Sequence, residues 1–330
     1  MNIAKPLVTI EICTHNRAES LSIQSLSAIE KLTYPNYEVI IVDDCSTDQT
    51  RQILYKYQEK IENLYILRNQ KNRGLPYSRN RILENAKGEI IVFSDDDVSL
   101  FPDCLDEIVK AYMQYPEVGF IWGGVYECHG SNDRNQLTFG TGSLFSLRKI
   151  VANHFRFDTN LRYFKTYVCE EHDFARRVQK AKIQIIKLAK ARSNHYQAPA
   201  KDRPWRSIGG DLNYLYEKVK KNSLLEYYTS LMLGLIYAIQ CLFVKKNGNK
   251  PSKPSYYNWM IYKEAFLSFY KVSVMLKNGN FLIASKYLFY TMLDIPIRAK
   301  IKRSIEAKQM SVFNQGDQVI LNQELKNKFS

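Results

Sequence analysis

The sequence predicts an α/β protein, a mostly parallel sheet with helices on both faces, followed by a helical C-terminal region. Three observations predict it. Short apolar runs rich in β-branched residues alternate with helical stretches over the first 120 residues, the pattern of strand–helix units that build a parallel sheet. The strand pattern stops near Ser207 and helical spacing takes over. The charge changes at about the same place: residues 1–200 carry 26 Lys/Arg against 24 Asp/Glu, whereas residues 201–330 carry 21 against 9. The expected organisation is a first domain over 1–206, a basic, aromatic-rich helical region over 207–310, and a polar tail over 311–330.

Taken in order, Leu7–Ile12, Tyr37–Val42, Leu64–Leu67 and Glu89–Phe93 read as buried strands. Arg17–Lys31, Asp48–Glu62 and Pro76–Ala86 have helical length and spacing, and Asp48 is placed to cap its helix. Ile183–Leu188 is a later short apolar run. With 45% hydrophobic and 13% aromatic residues the chain has ample material for a packed core, which argues against disorder. Six scattered cysteines without a CxxC pair argue against a zinc ribbon or a disulfide framework and fit a reducing compartment. The opening MNIAKPLVTI lacks the long apolar segment of a secretory signal, so a cytoplasmic setting is expected.

In an open parallel sheet, ligands bind beyond the carboxyl ends of the strands. The residues following each apolar run therefore carry the functional information. They are Thr14-His15-Asn16-Arg17, then Asp43-Asp44-Cys45-Ser46-Thr47-Asp48, then Asp95-Asp96-Asp97. Any one of these is compatible with a capped loop; three converging on one sheet edge indicate a site. Three consecutive carboxylates repel one another unless a cation sits among them. Hard oxygen donors select Mg2+ or Mn2+ over zinc, and Mg2+ completes its shell with phosphates and water. A diphosphate-bearing substrate is the expectation. No GxGxxG follows the first strand and no GxxxxGK[ST] occurs, so a glycine cradle for the phosphates is excluded.

These residues resemble family 2 glycosyltransferases of the GT-A fold. VTIEICTHNR is similar to that family's opening strand, and VIIVDDCSTDQT to its aspartate-bearing second strand, with Cys45 where the family usually has glycine. NRGLPYSRNRILENAKGEIIVFSDDDV resembles the stretch ending in the DXD motif. Gly140–Phe145, Phe157-Asp158 and EEHDFARRV resemble the acceptor-side region and the ED-containing helix. The resemblance spans roughly residues 6–200. It implies a nucleotide-sugar donor, with Thr14 and Asp44 against base and ribose, Asp43 supporting them, and Asp96 in the same site. Arg79 would reach the base or the diphosphate. Asp95 would contact ribose and metal, Asp97 would bind Mn2+ or Mg2+ directly, and His195 resembles the family's late histidine near diphosphate and metal. The base of an inverting transfer falls on Glu171, where the family usually has aspartate; Asp173 is the alternative, or positions acceptor or base. Arg203, Trp205 and Arg206 follow in a loop that either closes over the diphosphate or is a basic surface.

The second part invites a different partner. Leu224–Val244 is the most apolar stretch but is diluted by Glu226 and hydroxyl side chains, which favours a shallow or packed helix over a span. Tyr256–Lys271 mixes aromatics with lysines, as at a membrane interface, and Gly248–Pro254 reads as a linker. The expected assembly is an enzyme peripheral on the cytoplasmic face of an anionic membrane. It would serve a saccharide or lipid-linked acceptor in glycan synthesis. A catalytically inactive nucleotide-sugar-binding protein is the alternative. A nucleic-acid binder is disfavoured because the positive charge lies away from the acidic cluster and no such motif is visible.

Overall fold

The computed structural model describes residues 5–129, 132–163, 166–197, 206–221, 224–225, 227–229, 232, 271–272 and 274–312. Nine strands form one sheet in the order β3-β2-β1-β4-β8-β6-β9-β5, with β7 paired to β6. The strands are β1 (Val8–Thr14), β2 (Tyr37–Asp43), β3 (Leu64–Arg68), β4 (Ile90–Ser94), β5 (Val98–Leu100), β6 (Val118–His129), β7 (Asn132–Thr138), β8 (Leu144–Arg148) and β9 (Gln184–His195).

The first four strands stand where the apolar runs put them, and β3-β2-β1-β4 are all mutually parallel. Beyond β4 the sheet turns mixed: β8 runs antiparallel to β4, β6 antiparallel to β8, and β9 parallel to β6. Val8, Ile10, Ile12, Val39, Ile41, Ile90 and Val92 are buried in one core, as continuous apolar parallel strands require. Gly88 leads into β4 at close quarters, since a Cβ there would lie 2.5 Å from the Thr9 nitrogen.

The helices of this part are α1 (Ala18–Ser20), a π-helical Leu21–Leu26, α2 (Ser27–Ile29), α3 (Thr50–Gln58), α4 (Leu75–Asn85), α5 (Cys104–Gln114), α6 (Lys149–His154) and α7 (Glu170–Lys180). Asp48 caps two of them. Its Oδ1 accepts the Thr50 amide at 3.0 Å and its Oδ2 the Ala18 amide at 3.2 Å. An aromatic stack runs across β4, β8 and β6: Phe93 and Phe145 have ring centroids 4.2 Å apart, and Phe120 stacks on Phe145 at 5.3 Å.

Residues 1–159 and 170–204 belong to one compact unit, and residues 160–169 and 205–311 to a second. Segment 160–169 thus departs from the boundary expected at 206. The reason is packing: Leu161 and Tyr163 lie in the second unit's own core, and the Tyr163 amide donates to Asn213 Oδ1 at 3.1 Å. The helices described from residue 206 on are α8 (Arg206–Lys221), α9 (Phe281–Phe289), a π-helical Tyr290–Asp294 and α10 (Ile295–Val312). Helix α10 runs one residue past Ser311, where the polar tail was expected to begin; residues 313–330 lie outside the described residues. Most of Leu224–Val244, all of Gly248–Pro254 and Tyr256–Tyr270, and Arg203 and Trp205 also lie outside them.

Candidate active site

Strands β2, β1 and β4 are adjacent and parallel, so their exits share one edge of the sheet. Thr14 is in register with Asp43, and the Asp44 amide donates to the Thr14 carbonyl at 2.9 Å. The first two exit loops are stitched together by Asn16, whose amide donates to Ser46 Oγ at 3.0 Å and whose Oδ1 accepts the Thr47 amide at 2.8 Å. Cys45 sits in that turn at φ +65°. A left-handed residue there explains why glycine suits this position and what a side chain costs.

Asp43 and Asp44 are both buried, and their oxygens are occupied within the protein. Asp43 Oδ1 accepts the Ser46 amide at 2.8 Å, and Arg68 pairs with Oδ2. Asp44 accepts Asn69 Nδ2 at 2.6 Å and the amides of Arg73 and Gly74 at 2.8 and 2.7 Å. Asp43 thus braces the turn through Ser46 and Arg68. Asp44 anchors the loop that leads into α4, and these three bonds use most of a carboxylate's roughly four acceptor positions. The Thr14 hydroxyl has no hydrogen-bond partner in ideal geometry, yet it lies close enough to Asp96 to lower that group's proton affinity.

Asp95, Asp96 and Asp97 follow β4, and β5 begins at once. The Tyr196 amide donates to the Asp97 carbonyl at 3.0 Å and Val98 is in register with His195, which brings the end of β9 to the acidic loop. His195 Nε2 lies 3.4 Å from Asp97 Oδ1, and Nδ1 lies 2.8 Å from Glu127 Oε2. Burial disfavours charge on this imidazole, but Asp97, Asp95 and Glu127 outweigh it and raise its pKa to about 9. Burial pushes Asp95 up to about 6, with Arg79 opposing and Asp97 adding to it. Burial and then Asp97 push Asp96 to about 8. A partly buried cluster of hard oxygens that raise one another's proton affinity, with an imidazolium already drawn to it, fits a divalent cation. Asp95 and Asp97 are the candidate ligands. His195 joins them only by releasing its proton and its contact with Asp97.

Arg79, expected to reach the base or diphosphate, is 1% exposed. Its Nη1 donates to Glu170 Oε1 at 2.9 Å, and its Nη2 to Asp95 Oδ1 at 3.0 Å and the Gly142 carbonyl at 3.2 Å. Its Nε lies 3.9 Å from Glu11 Oε1, and the guanidinium sits 5.3–5.7 Å from the rings of Phe93, Phe145 and Phe157. A planar fork with five donors suits such a crossroads. Arg79 ties the acidic loop to the start of α7 rather than facing a ligand.

Glu171 and Asp173 part company on α7. Asp173 is fully buried and clasped by Arg176 at 2.7 Å and Arg177 at 2.9 Å, one helical turn on. That makes it an anchor of α7, not a group that meets an acceptor. The Glu171 carboxylate is 10% exposed, with His172 Nδ1 at 3.0 Å. Burial would raise its pKa, but the His172 hydrogen bond and charge and the Arg79 charge hold it below the usual carboxylate range. Gly142 lies beside it, where a Cβ would come 3.5 Å from Glu171 Cδ. Glu171 is also near enough to Asp95 to raise that group's proton affinity, so the donor and acceptor sides converge. Two further residues belong to the site, Glu11 beneath Arg79 and Glu127 behind His195. A lone acid in the apolar run of β1 was a legible signal for Glu11, whereas nothing local marks Glu127.

Known proteins share this sequence pattern and this fold. A family model described as "Glycosyl transferase family 2" matches residues 9–181. TuaG of Bacillus subtilis (strain 168), a glycosyltransferase named for teichuronic acid biosynthesis, is 34% identical over 110 residues, covering 33% of this chain and 43% of TuaG. The poly(ribitol-phosphate) β-N-acetylglucosaminyltransferase TarS of Staphylococcus aureus (strain Mu50) is 39% identical over 92 residues, covering 27% of this chain and 16% of TarS. The chain thus spans less than half the length of either relative. The crystal structure of GalNAc-T7 with UDP, GalNAc and Mn2+ shares the fold, with a TM-score of 0.56 at 13% identity over 70% of this chain and 51% of that one.

Proposed function

Because this chain belongs to glycosyl transferase family 2, we propose that it moves a sugar from a nucleoside-diphosphate donor onto a hydroxyl of a saccharide or lipid-linked acceptor. The observation that carries this reading is Glu171, an ionised carboxylate at the N-terminus of α7 placed beside Gly142 and electrostatically close to Asp95. The Glu171 carboxylate takes the proton of the acceptor hydroxyl as its oxygen attacks the anomeric carbon. The bond from that carbon to the diphosphate oxygen breaks with inversion, and the nucleoside diphosphate leaves. Arg79 holds Asp95 and Glu170, and through Glu170 the start of α7, so that base and donor loop keep one spacing. Asp95 and Asp97 would hold a divalent cation, Mn2+ or Mg2+, which when bound would supply positive charge for a departing diphosphate.

The names of the relatives support a place in cell-surface polysaccharide assembly. The excess of Lys/Arg over Asp/Glu in residues 201–330 supports a setting on the anionic, cytoplasmic face of a membrane. The test is a thermal-shift panel of nucleoside diphosphates with and without Mn2+, followed by a donor-turnover assay. The true donor raises the midpoint by mass action only when metal is present. Equal shifts with and without metal, or no turnover of the donor that binds best, would overturn the reading.

A further inference from the structure

The second unit carries an apolar face that its own core does not use. From Phe281 to Val312 the chain is helical throughout, as α9, the π-helical turn and α10. One side, including Ala284, Tyr287, Ile295 and Ala299, packs into the unit's core. Two positions round from that side, Phe289, Leu293, Ile297, Ile301 and Ile305 recur every fourth residue and are 45–57% exposed. Residues four apart on a helix lie on one face, so these five form a stripe. Stripes of large apolar side chains left in water mark interaction surfaces.

The charge around the stripe says what covers it. Residues 271–312 carry eight Lys/Arg and two acids. Both acids are paired with cations, Asp294 with Arg298 at 2.8 Å and Glu306 with Lys220 at 2.8 Å, and Asp294 also accepts the Tyr163 hydroxyl at 3.0 Å. Lys286, Arg298, Lys300 and Lys308 are exposed on the same helices. A second copy would bring the same cations face to face. Cations beside an apolar stripe match negative headgroups over hydrocarbon. No helix among the described residues is long and apolar enough to cross a membrane, which leaves the in-plane arrangement for this one.

We propose that the outer face of α9 and α10 lies in the interface of an anionic lipid membrane, with the Phe289–Ile305 stripe at the acyl boundary and the lysines at the headgroups. This deepens the membrane setting proposed above by naming the surface that makes it, and does not depend on the donor chemistry.

The experiment is co-sedimentation of the full chain with phosphatidylcholine vesicles and with vesicles that also contain phosphatidylglycerol. Wild type binds the anionic vesicles, and Leu293→Ser/Ile297→Ser/Ile301→Ser binds them at least about tenfold more weakly with an unchanged thermal midpoint. Lys300→Glu/Lys308→Glu, which leaves the apolar stripe intact, also binds more weakly should the triple variant not fold. Absence of wild-type binding, or undiminished binding by either variant that folds, overturns the proposal. So does a folded triple variant whose midpoint falls or whose oligomeric state changes, because the stripe is then covered by this chain or by a second copy. The Mn2+-dependent nucleotide shift is read on the same samples. Its loss with vesicle binding intact condemns the donor reading alone, and its persistence without vesicle binding condemns this one alone.

Discussion

Arg79 and Glu170 are 91 residues apart in sequence and 2.9 Å apart in space. The other arm of the same guanidinium holds Asp95 at 3.0 Å. One buried cation therefore joins α4, the loop after β4 and the start of α7. Arg79→Lys keeps the charge but gives up the fork, and an ammonium cannot reach both carboxylates in this geometry. The expected result is weaker metal-dependent nucleotide binding together with slower transfer. Arg79→Met leaves buried carboxylates unpaired and should cost about 3–5 kcal/mol in urea unfolding. An Arg79→Lys protein with wild-type binding and turnover would show that the bridge positions nothing.

Asp97→Asn removes one anionic oxygen donor from the acidic loop and the partner of His195 Nε2. The nucleoside-diphosphate shift that depends on Mn2+ should disappear, while the midpoint without ligand stays close to wild type because the lost pair with His195 is offset by relief of the repulsion that Asp97 exerts on Asp95 and Asp96. Turnover unchanged by Asp97→Asn, or by excess chelator on the wild type, would refute the metal assignment.

Glu171→Gln and Asp173→Asn should separate cleanly. The first keeps shape and burial and should retain donor affinity while losing about 10²-fold or more in turnover, the size of a general-base contribution. The second breaks a double arginine pair at a fully buried carboxylate, so it should lower stability by a few kcal/mol, with activity following the folded fraction. A stable, inactive Asp173→Asn beside an active Glu171→Gln would reverse the roles.

The contrast between these residues shows what a sequence discloses. Strands β1, β2 and β4 were legible because parallel strands buried on both faces are written as uninterrupted β-branched runs, and their exits name the site edge. Strand β3, at the sheet's end, was legible from a shorter apolar run and is only partly buried, with Tyr65 exposed. The mixed half of the sheet was not, because β6, β8 and β9 include Gly, Ser, Lys and Arg and show no clean period. Residue types at the site were legible for the same reason as its edge. Orientation was not: Asp44, Arg79 and Asp173 turn inward onto partners 25 to 91 residues away or one helical turn on, and a one-dimensional pattern holds no record of such pairings. Cys45 is the converse case, a departure from the family pattern whose cost became visible only with its left-handed backbone.

Glu11 gives the pH prediction. It lies fully buried on β1, where burial drives its pKa from 4.5 to about 7, with Arg79 and the Cys13 hydrogen bond opposing and Asp95 adding to the rise. The folded protein therefore holds a proton that the unfolded chain releases. As pH rises from about 4.5 to 7, unfolding gives up that proton more readily, so stability falls through this window and then levels off. A displacement of this size is worth about 3 kcal/mol. Glu11→Gln has nearly the same shape and nothing to ionise. Its stability should match wild type near pH 4.5 and exceed it by up to about 3 kcal/mol at pH 8, measured by urea unfolding of both proteins at each pH. Taking the difference cancels, to first order, the titration of Asp95 and Asp96, which both proteins share. If Glu11→Gln is instead the less stable protein at pH 8, the attraction of the ionised Glu11 to Arg79 exceeds the cost of its burial, and the pKa of Glu11 is not raised.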